Sequence, residues 1–270
     1  MRSSSAGSLA NVRETWEALL REHEGEELAF AREIFAAASI LASHRSLSRA
    51  LTDPSRNEAD RAQLARDVFA SAVTEEVLDL LVGLARGRWS KPKDLALSLD
   101  ELGLFTAILG AERQDELVIV EEQLYRTIRV LRRTRDLRVA LSDRSRSTAD
   151  RVGLAQRVFV GVTPTVRLLL GRAVEVAPGE PLVRSLSHDI DAVADRAHHL
   201  VASVTVAAPL TRAQQDRLTR ILNVRYGQEV SVHTKIETSI IGGIRIRVGE
   251  DVIDGTLRTR IKGVRTTLGV

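Results

Sequence analysis

The stretch Glu237-Thr-Ser-Ile-Ile-Gly-Gly-Ile-Arg-Ile-Arg-Val-Gly-Glu-Asp-Val-Ile-Asp-Gly-Thr-Leu-Arg-Thr-Arg260 decides the fold of the last quarter of the chain. Ile244, Ile246 and Val248 alternate with Arg245 and Arg247. That period of two belongs to a strand with one buried and one wet face. Gly249-Glu250-Asp251 supplies a tight turn, and Val252-Ile253 resumes the apolar run as a return strand. Gly242 and Gly243, next to Ile241, mark a sharp backbone entry where a side chain would not fit. Asp254-Gly255-Thr256 ends the return strand and caps a following helix. That helix carries Leu257, Ile261, Val264 and Leu268 along one face.

Upstream of this hairpin the pattern is of the same kind. Ala202, Val204 and Val206 alternate as a strand. Thr211-Arg-Ala-Gln214 is a capping box that opens a helix bearing Leu218, Ile221 and Leu222, and Gly227 stops it. Val230, Val232 and Ile236 alternate again. Residues 200–270 therefore read as a compact β-α-β-β-β-α domain.

Residues before 200 follow a helical period, and they repeat at an offset of 90. Leu47 to Phe69 aligns without a gap on Leu137 to Phe159, with 13 of 23 positions identical. Ile34-Phe35 and Ile40-Leu41 match Leu124-Tyr125 and Val130-Leu131 upstream. Past a one-residue gap, Val73-Thr74 and Leu80-Leu81 match Val162-Thr163 and Leu169-Leu170. Such self-similarity predicts one helical unit occurring twice.

In each copy a long helix (about Glu26–His44, and about Gln114–Thr134) leads into a turn at Thr52-Asp53-Pro54 or Ser142-Asp143. Ser55-x-x-Glu58 reads as a capping box for the next helix. Two further helices follow in each copy, over 74–86 and 93–109, then 164–176 and 180–198. Residues 1 to about 10 read as a frayed tail. The expected fold class is thus mostly α with a C-terminal α+β unit. Two tandem repeated helical bundles, 1–110 and 111–199, precede the domain at 200–270.

Composition narrows the function. Of 270 residues 44% are hydrophobic but only 3% aromatic, so the cores are built from Leu, Val, Ile and Ala, which favours helix-on-helix packing. With no cysteine, disulfides and Cys-based zinc sites are excluded, and a reducing cytoplasm is expected. The longest apolar run, Leu200–Leu210, is broken by Ser203 and Thr205 and falls short of the ~20 residues of a membrane span. No apolar segment follows Met1-Arg2-Ser-Ser-Ser5, so no signal peptide is expected. Net charge is only +3 although the pI is 9.6, since 35 of the 39 basic residues are Arg and only Lys91, Lys93, Lys235 and Lys262 are Lys. Residues 126–157 hold ten Arg against three acids. They interleave with Leu and Val at helical spacing, without stacking aromatics, and read as a solvated face or a face for an acidic protein partner rather than nucleic-acid contact.

Chemistry-bearing motifs are missing. Neither G-x-x-x-x-G-K-[ST] nor G-x-G-x-x-G occurs, and Gly242-Gly243 precede a strand rather than a helix N-terminus. His188, Asp191, Asp195 and His198 could share one helix face, but a polar surface is the better reading than a metal site. Asp60 and Asp150 recur in the repeat and serve helix starts rather than acid catalysis. No nucleophile-elbow motif supports a Ser/His/Asp arrangement. No catalytic, cofactor-binding or metal residue is expected, and no small-molecule substrate. Trp16 reads as packing. Trp89, in a loop, reads equally as packing or as an anchor at a protein interface.

The hairpin resembles the C-terminal signature of the ATP synthase delta subunit family, which includes the mitochondrial oligomycin-sensitivity-conferring protein. The matching residues are Ile241-Gly242-Gly243-Ile244, Val248-Gly249-Glu250-Asp251 and Val252-Ile253-Asp254-Gly255-Thr256. Thr256 stands where Ser is usual and keeps the capping hydroxyl. The helical part resembles the family's N-terminal bundle more loosely. The resemblance implies a non-catalytic stator subunit of the proton-translocating rotary ATP synthase. Its helical bundle would grip N-terminal helices of the alpha subunits, and its C-terminal unit would hold the b subunits. It would be peripheral, at the cytoplasmic face of the cell membrane, and membrane-associated only through the complex. The duplicated bundle departs from the family's single one and leaves open which copy meets alpha. A tandem helical adaptor unrelated to ATP synthase is the alternative.

Overall fold

The computed structural model describes residues 3–176, 180–197, 199–227, 229–237, 242–248 and 251–254. The expected closing helix and Ile241, Gly249, Gly255 and Thr256 lie outside the described residues. The chain divides into two compact units, Met1–Asp189 and Ile190–Val270. As the sequence predicts, it is mostly helical with a small mixed sheet at the C-terminal end.

The first unit opens with α1 (Ser3–Leu20), α2 (Glu27–Ser43), α3 (Arg45–Thr52), α4 (Glu58–Phe69), α5 (Glu75–Arg86) and α6 (Pro92–Arg113). Its centre is α6, which buries residues on every side, Leu99, Leu102, Phe105 and Leu109 among them. A helix apolar all round has to be enclosed by others. The helix α2 lies against it through Phe30, Ile34, Ala38 and Leu41, with Trp16 of α1 and Leu81 and Leu84 of α5 completing the core. The close approach of α2 and α6 requires Gly103, where a Cβ would sit 2.6 Å from the Phe35 ring.

The unit continues with α7 (Leu117–Arg133), α8 (Arg135–Ser142), α9 (Thr148–Val158), α10 (Pro164–Val176) and the start of α11 (Glu180–Arg196). Asp115, at φ 57°, turns the chain between α6 and α7. The helix α10 packs on α2, α6, α7 and α9.

The second unit holds β1 (His199–Val206), α12 (Arg212–Tyr226), β2 (Glu229–Ile236), β3 (Ile244–Val248) and β4 (Asp251–Asp254). Sheet order is β2-β1-β3-β4. Strands β1 and β2 are parallel and joined through α12; the other pairs are antiparallel. Ala202, Val204, Val206, Val230, Ile246 and Val248 form the buried face with Leu222 of α12. The expected capping box is present, with Thr211 Oγ1 accepting from Gln214 N, and Gly227 ends α12 at φ 69°.

Three local expectations are corrected. Residues 3–10 are not a frayed tail: α1 starts at Ser3, and the buried Ser5 hydroxyl donates to Asp94 at 2.9 Å and accepts from Ser90 N at 2.9 Å. The connections at Thr52 and Ser142 are each preceded by a separate short helix, α3 and α8. Ser55 does not cap α4. Asn57 does, its side chain accepting from Asp60 N at 2.7 Å, while Ser55 N and Oγ donate to Asp53 Oδ1 at 2.9 and 2.7 Å. A cap must stand immediately before the first helical residue, which Asn57 does and Ser55 does not.

Candidate interaction site

The signature hairpin is a structural device. Gly243, at φ 90°, takes the chain into β3. Ile244 pairs with Val206, and Val248 pairs with Ala202 and Asp251. Ile246 and Val248 are buried, Ile253 lies opposite Ile246, and both Ile253 and Asp254 are half-buried. Arg245 Nε donates to Asp254 Oδ2 at 3.3 Å across the strand pair. Tyr226 at the end of α12 donates its hydroxyl to Asp251 Oδ2 at 2.6 Å, and this bond holds the phenol above its ordinary pKa. Asn223 Oδ1 accepts from Val230 N at 2.8 Å. The helix end is thereby tied both to β2 and to the hairpin. Among the described residues no group of His, Asp or Glu is placed to hold a metal.

Trp89, between α5 and α6, is half-buried against the first core, and its indole N–H donates to Leu84 O at 2.9 Å. Its open side lies in a surface cavity with Arg56, Glu58 and Arg88. Trp16 is 2% exposed and donates to Thr106 Oγ1 at 2.8 Å.

A polar cluster that sequence reasoning missed lies where α10 meets α2 and α6. Arg172, 9% exposed at its side chain, donates to Asp100 Oδ1 through Nε at 2.8 Å and Nη2 at 2.5 Å. Its Nη1 donates to Glu175 Oε2 at 3.0 Å and also to Ser39 Oγ. Ser39 in turn donates to Glu175 Oε1 at 2.5 Å. The Phe35 ring lies 5.4 Å from the guanidinium carbon. A neighbouring cavity of about 350 Å³ is lined by Asp100, Glu101, Arg172, His188 and Asp189.

Burial pushes the Asp100 carboxyl up despite its ion pair, and pushes Glu101 up as well. Asp189, 8% exposed, is pushed up to about 8, first by burial and then by the Asp100 charge. One signal could have found this cluster. Past the repeat's one-residue gap, Arg172 aligns with Gly83 and Asp189 with Asp100, in the shared pattern Leu97-Ser98-x-Asp100 and Leu186-Ser187-x-Asp189. The sequence repeat thus sets a charge at 172 against a glycine at 83.

The sequence pattern of the ATP synthase delta (OSCP) subunit family matches residues 106–268. ATP synthase subunit delta of Beutenbergia cavernae is 37% identical over 269 residues, 99% of each chain. That of Kineococcus radiotolerans is 35% identical over 262 residues, 97% of this chain and 95% of its own. A chain of the Toxoplasma gondii mitochondrial ATP synthase hexamer superposes at a TM-score of 0.41 and 19% identity, over 62% of this chain and 95% of that one. The family pattern covers the hairpin and the helices from the end of α6 onward, and the bacterial relatives cover α1 to α5 as well. These matches leave no place for an unrelated adaptor: the chain belongs to the ATP synthase delta (OSCP) subunit family.

Proposed function

We propose that the chain is the stator subunit of a proton-translocating rotary ATP synthase, part of the peripheral stalk that keeps the catalytic head from turning with the rotor. The observation that carries this reading is the 37% identity to an ATP synthase subunit delta over 99% of both chains. The role is non-catalytic. A static link under torque needs extended helix-groove contacts, and several modest contacts on one chain add to a tight attachment. The partners are the N-terminal helices of the alpha subunits, for the helical part, and the b subunits, for the C-terminal unit. No helix of the described residues is long and apolar enough to cross a membrane. The chain then sits peripherally at the cytoplasmic face of the cell membrane, held there by the complex. Gly242, Gly243 and Asp254 keep the C-terminal unit in shape for its partner, and Trp89 is an anchor at the head-side interface.

The same reading includes a tandem helical part, with copies at 1–110 and 111–199 ahead of the domain at 200–270. Corresponding side chains at matched positions support it. Asp53 Oδ1 accepts from Ser55 N and Oγ, and Asp143 Oδ1 from Ser145 N and Oγ. Asn57 caps α4 and Ser147 caps α9, each accepting from the backbone N–H of Asp60 or Asp150. Glu33 accepts from Thr74 N at 2.8 Å, and Gln123 from Thr163 N at 2.7 Å. Arg61 and Arg151, 5% and 6% exposed, both donate to carbonyls near the end of the helix that follows.

The test is affinity capture of the tagged chain from detergent-solubilised membranes of its own cell, with partners identified by mass. Recovery of alpha, beta and b subunits is expected. Recovery of none of them by a folded chain would overturn the stator reading.

A further inference from the structure

A second opening, distinct from the cavity at Asp189, lies between α2 on one side and α9 and α10 on the other, with a volume of about 600 Å³. That is the size of a site for a few side chains or a small ligand. Its apolar lining comes from Phe35 and Ala36 of α2, Val152 of α9, and Pro164 and Leu168 of α10. Three of its lining residues are arginines, Arg32, Arg167 and Arg172, against one acid, Glu175.

These cations are not equivalent. Arg172 is spent on Asp100 and Glu175. Arg32 and Arg167 are exposed and make no side-chain hydrogen bond or ion pair with a described residue. They stand on different helices, α2 and α10, and line one cleft. The excess of cations in the lining is concentrated in a chain whose net charge is only +3. Free guanidiniums beside an apolar floor fit carboxylates flanking an aliphatic side chain, since Arg presents a planar fork to a carboxylate and is weakly hydrated.

We propose that this cleft docks an acidic amphipathic peptide segment of a partner protein, its carboxylates on Arg32 and Arg167 and its apolar residue over Phe35, Val152 and Leu168. Charge complementarity favours that occupant. With Phe35 buried at the base, no exposed aromatic ring of the lining offers a stacking surface to a nucleobase. The inference does not rest on the stator reading, because it concerns only what the cleft itself recognises.

The experiment uses the full chain and a fluorescein-labelled 16-residue helical peptide of repeating Glu-Leu-Leu-Glu. A matched peptide with Lys for Glu, and inorganic phosphate as competitor, are run beside it. Binding is read by anisotropy at low ionic strength and located by amide chemical shifts. Arg32→Glu and Arg167→Glu should each weaken the acidic peptide about ten-fold, and Arg49→Glu, an exposed control on α3, should change it less than about two-fold. Both cleft variants should keep the parent's thermal midpoint, because neither guanidinium is buried. No binding, equal binding of the Lys peptide, or an equal effect of Arg49→Glu would overturn the proposal. Displacement of the peptide by millimolar phosphate with shifts confined to the arginines would overturn it in favour of a small-anion site.

Discussion

Arg172 on α10 and Asp100 on α6 are joined by two hydrogen bonds to one carboxylate oxygen, at 2.8 and 2.5 Å. The pair spans 72 residues of sequence and fixes α10 against α6, while Nη1 donates to Glu175 of α10 itself and to Ser39 of α2. Burying Arg172 is tolerated because its charge meets two carboxylates, and Asp100 keeps its own side chain 30% exposed.

Arg172→Met should destabilise the first unit by about 2–3 kcal/mol, at the low end for a broken buried pair because Asp100 retains some solvent. Asp100→Asn should cost less, about 1 kcal/mol, since Arg172 keeps Glu175. Urea unfolding of the two single variants and the Arg172→Met/Asp100→Asn double variant gives the coupling energy. Strictly additive losses would mean the pair does not act as one.

The stability of the first unit should fall as pH rises toward 8. Asp189 has a folded pKa raised from 3.8 to about 8, so the folded state holds a proton that the unfolded state has released. Its contribution is complete below pH 3.8, declines between 3.8 and about 8, and is gone above that. The groups facing it across the cavity are Asp100 and Glu101 of α6, Arg172 of α10 and His188 of α11. Asp189→Asn should flatten the decline and exceed the parent's stability at pH 8 by on the order of a few kcal/mol. Urea midpoints between pH 5 and 9 check this, and a parent whose midpoint is level across that range would contradict it.

What the sequence made legible was local. The β3–β4 pairing follows from alternation of Ile244, Ile246 and Val248, and the α12 capping box from Thr211 and Gln214, because each depends on residues a few positions apart. The helix α1 was not legible. Its anchor is Ser5 to Asp94, 89 residues away, and its Ser-rich start carries no apolar period of its own. The Arg172 cluster was hidden for the same reason: it draws on α2, α6 and α10 at once, and only the mismatch between the copies at Gly83 and Arg172 hints at it.

Arg61 and Arg151 should be unequal in weight. Arg61 donates to the carbonyls of Ala85, Arg86 and Gly87 at the end of α5 and to those of Asp53 and Arg56, so one side chain satisfies a helix C-terminus and a turn. Among the described residues Arg151 reaches only Leu141 O, Val174 O and Thr148 Oγ1, and its buried Nε finds no partner there. Arg61→Met should cost about 3 kcal/mol and Arg151→Met nearer 1–2 kcal/mol. Thermal unfolding of the two variants ranks them; the reverse order would show that the extra carbonyl bonds of Arg61 contribute no net stability.

Trp89 should report partner binding while Trp16 does not. Trp16 is 2% exposed with its indole N–H bonded to Thr106, so its emission is set by the core. Trp89 is half-buried with one side open. In a Trp16→Phe variant, addition of the head-side partner should shift the emission of Trp89 to the blue. Trp89→Ala should weaken that association by about 1–2 kcal/mol, as expected for a moderate interface anchor. An unchanged spectrum with bound partner present would remove Trp89 from the interface.

Residue 110 is a costly place to cut the chain, because it falls inside α6. The last turn of α6 carries Arg113, whose Nη1 donates to Leu20 O at 2.7 Å and pairs with Glu27. The Glu27 side chain is 2% exposed, and its other oxygen accepts from Gly25 N at 2.9 Å. A fragment ending at 110 loses the guanidinium and strands that carboxylate against the core. A fragment ending at 115 keeps it. The shorter fragment should therefore be less stable by about 3 kcal/mol, in line with removing one member of a buried ion pair. Glu27→Gln should recover part of that loss in the shorter fragment and cost stability in the longer one. Opposite signs for one substitution in two fragments, read from urea midpoints, would assign the difference to the Arg113–Glu27 pair rather than to fraying of the helix end.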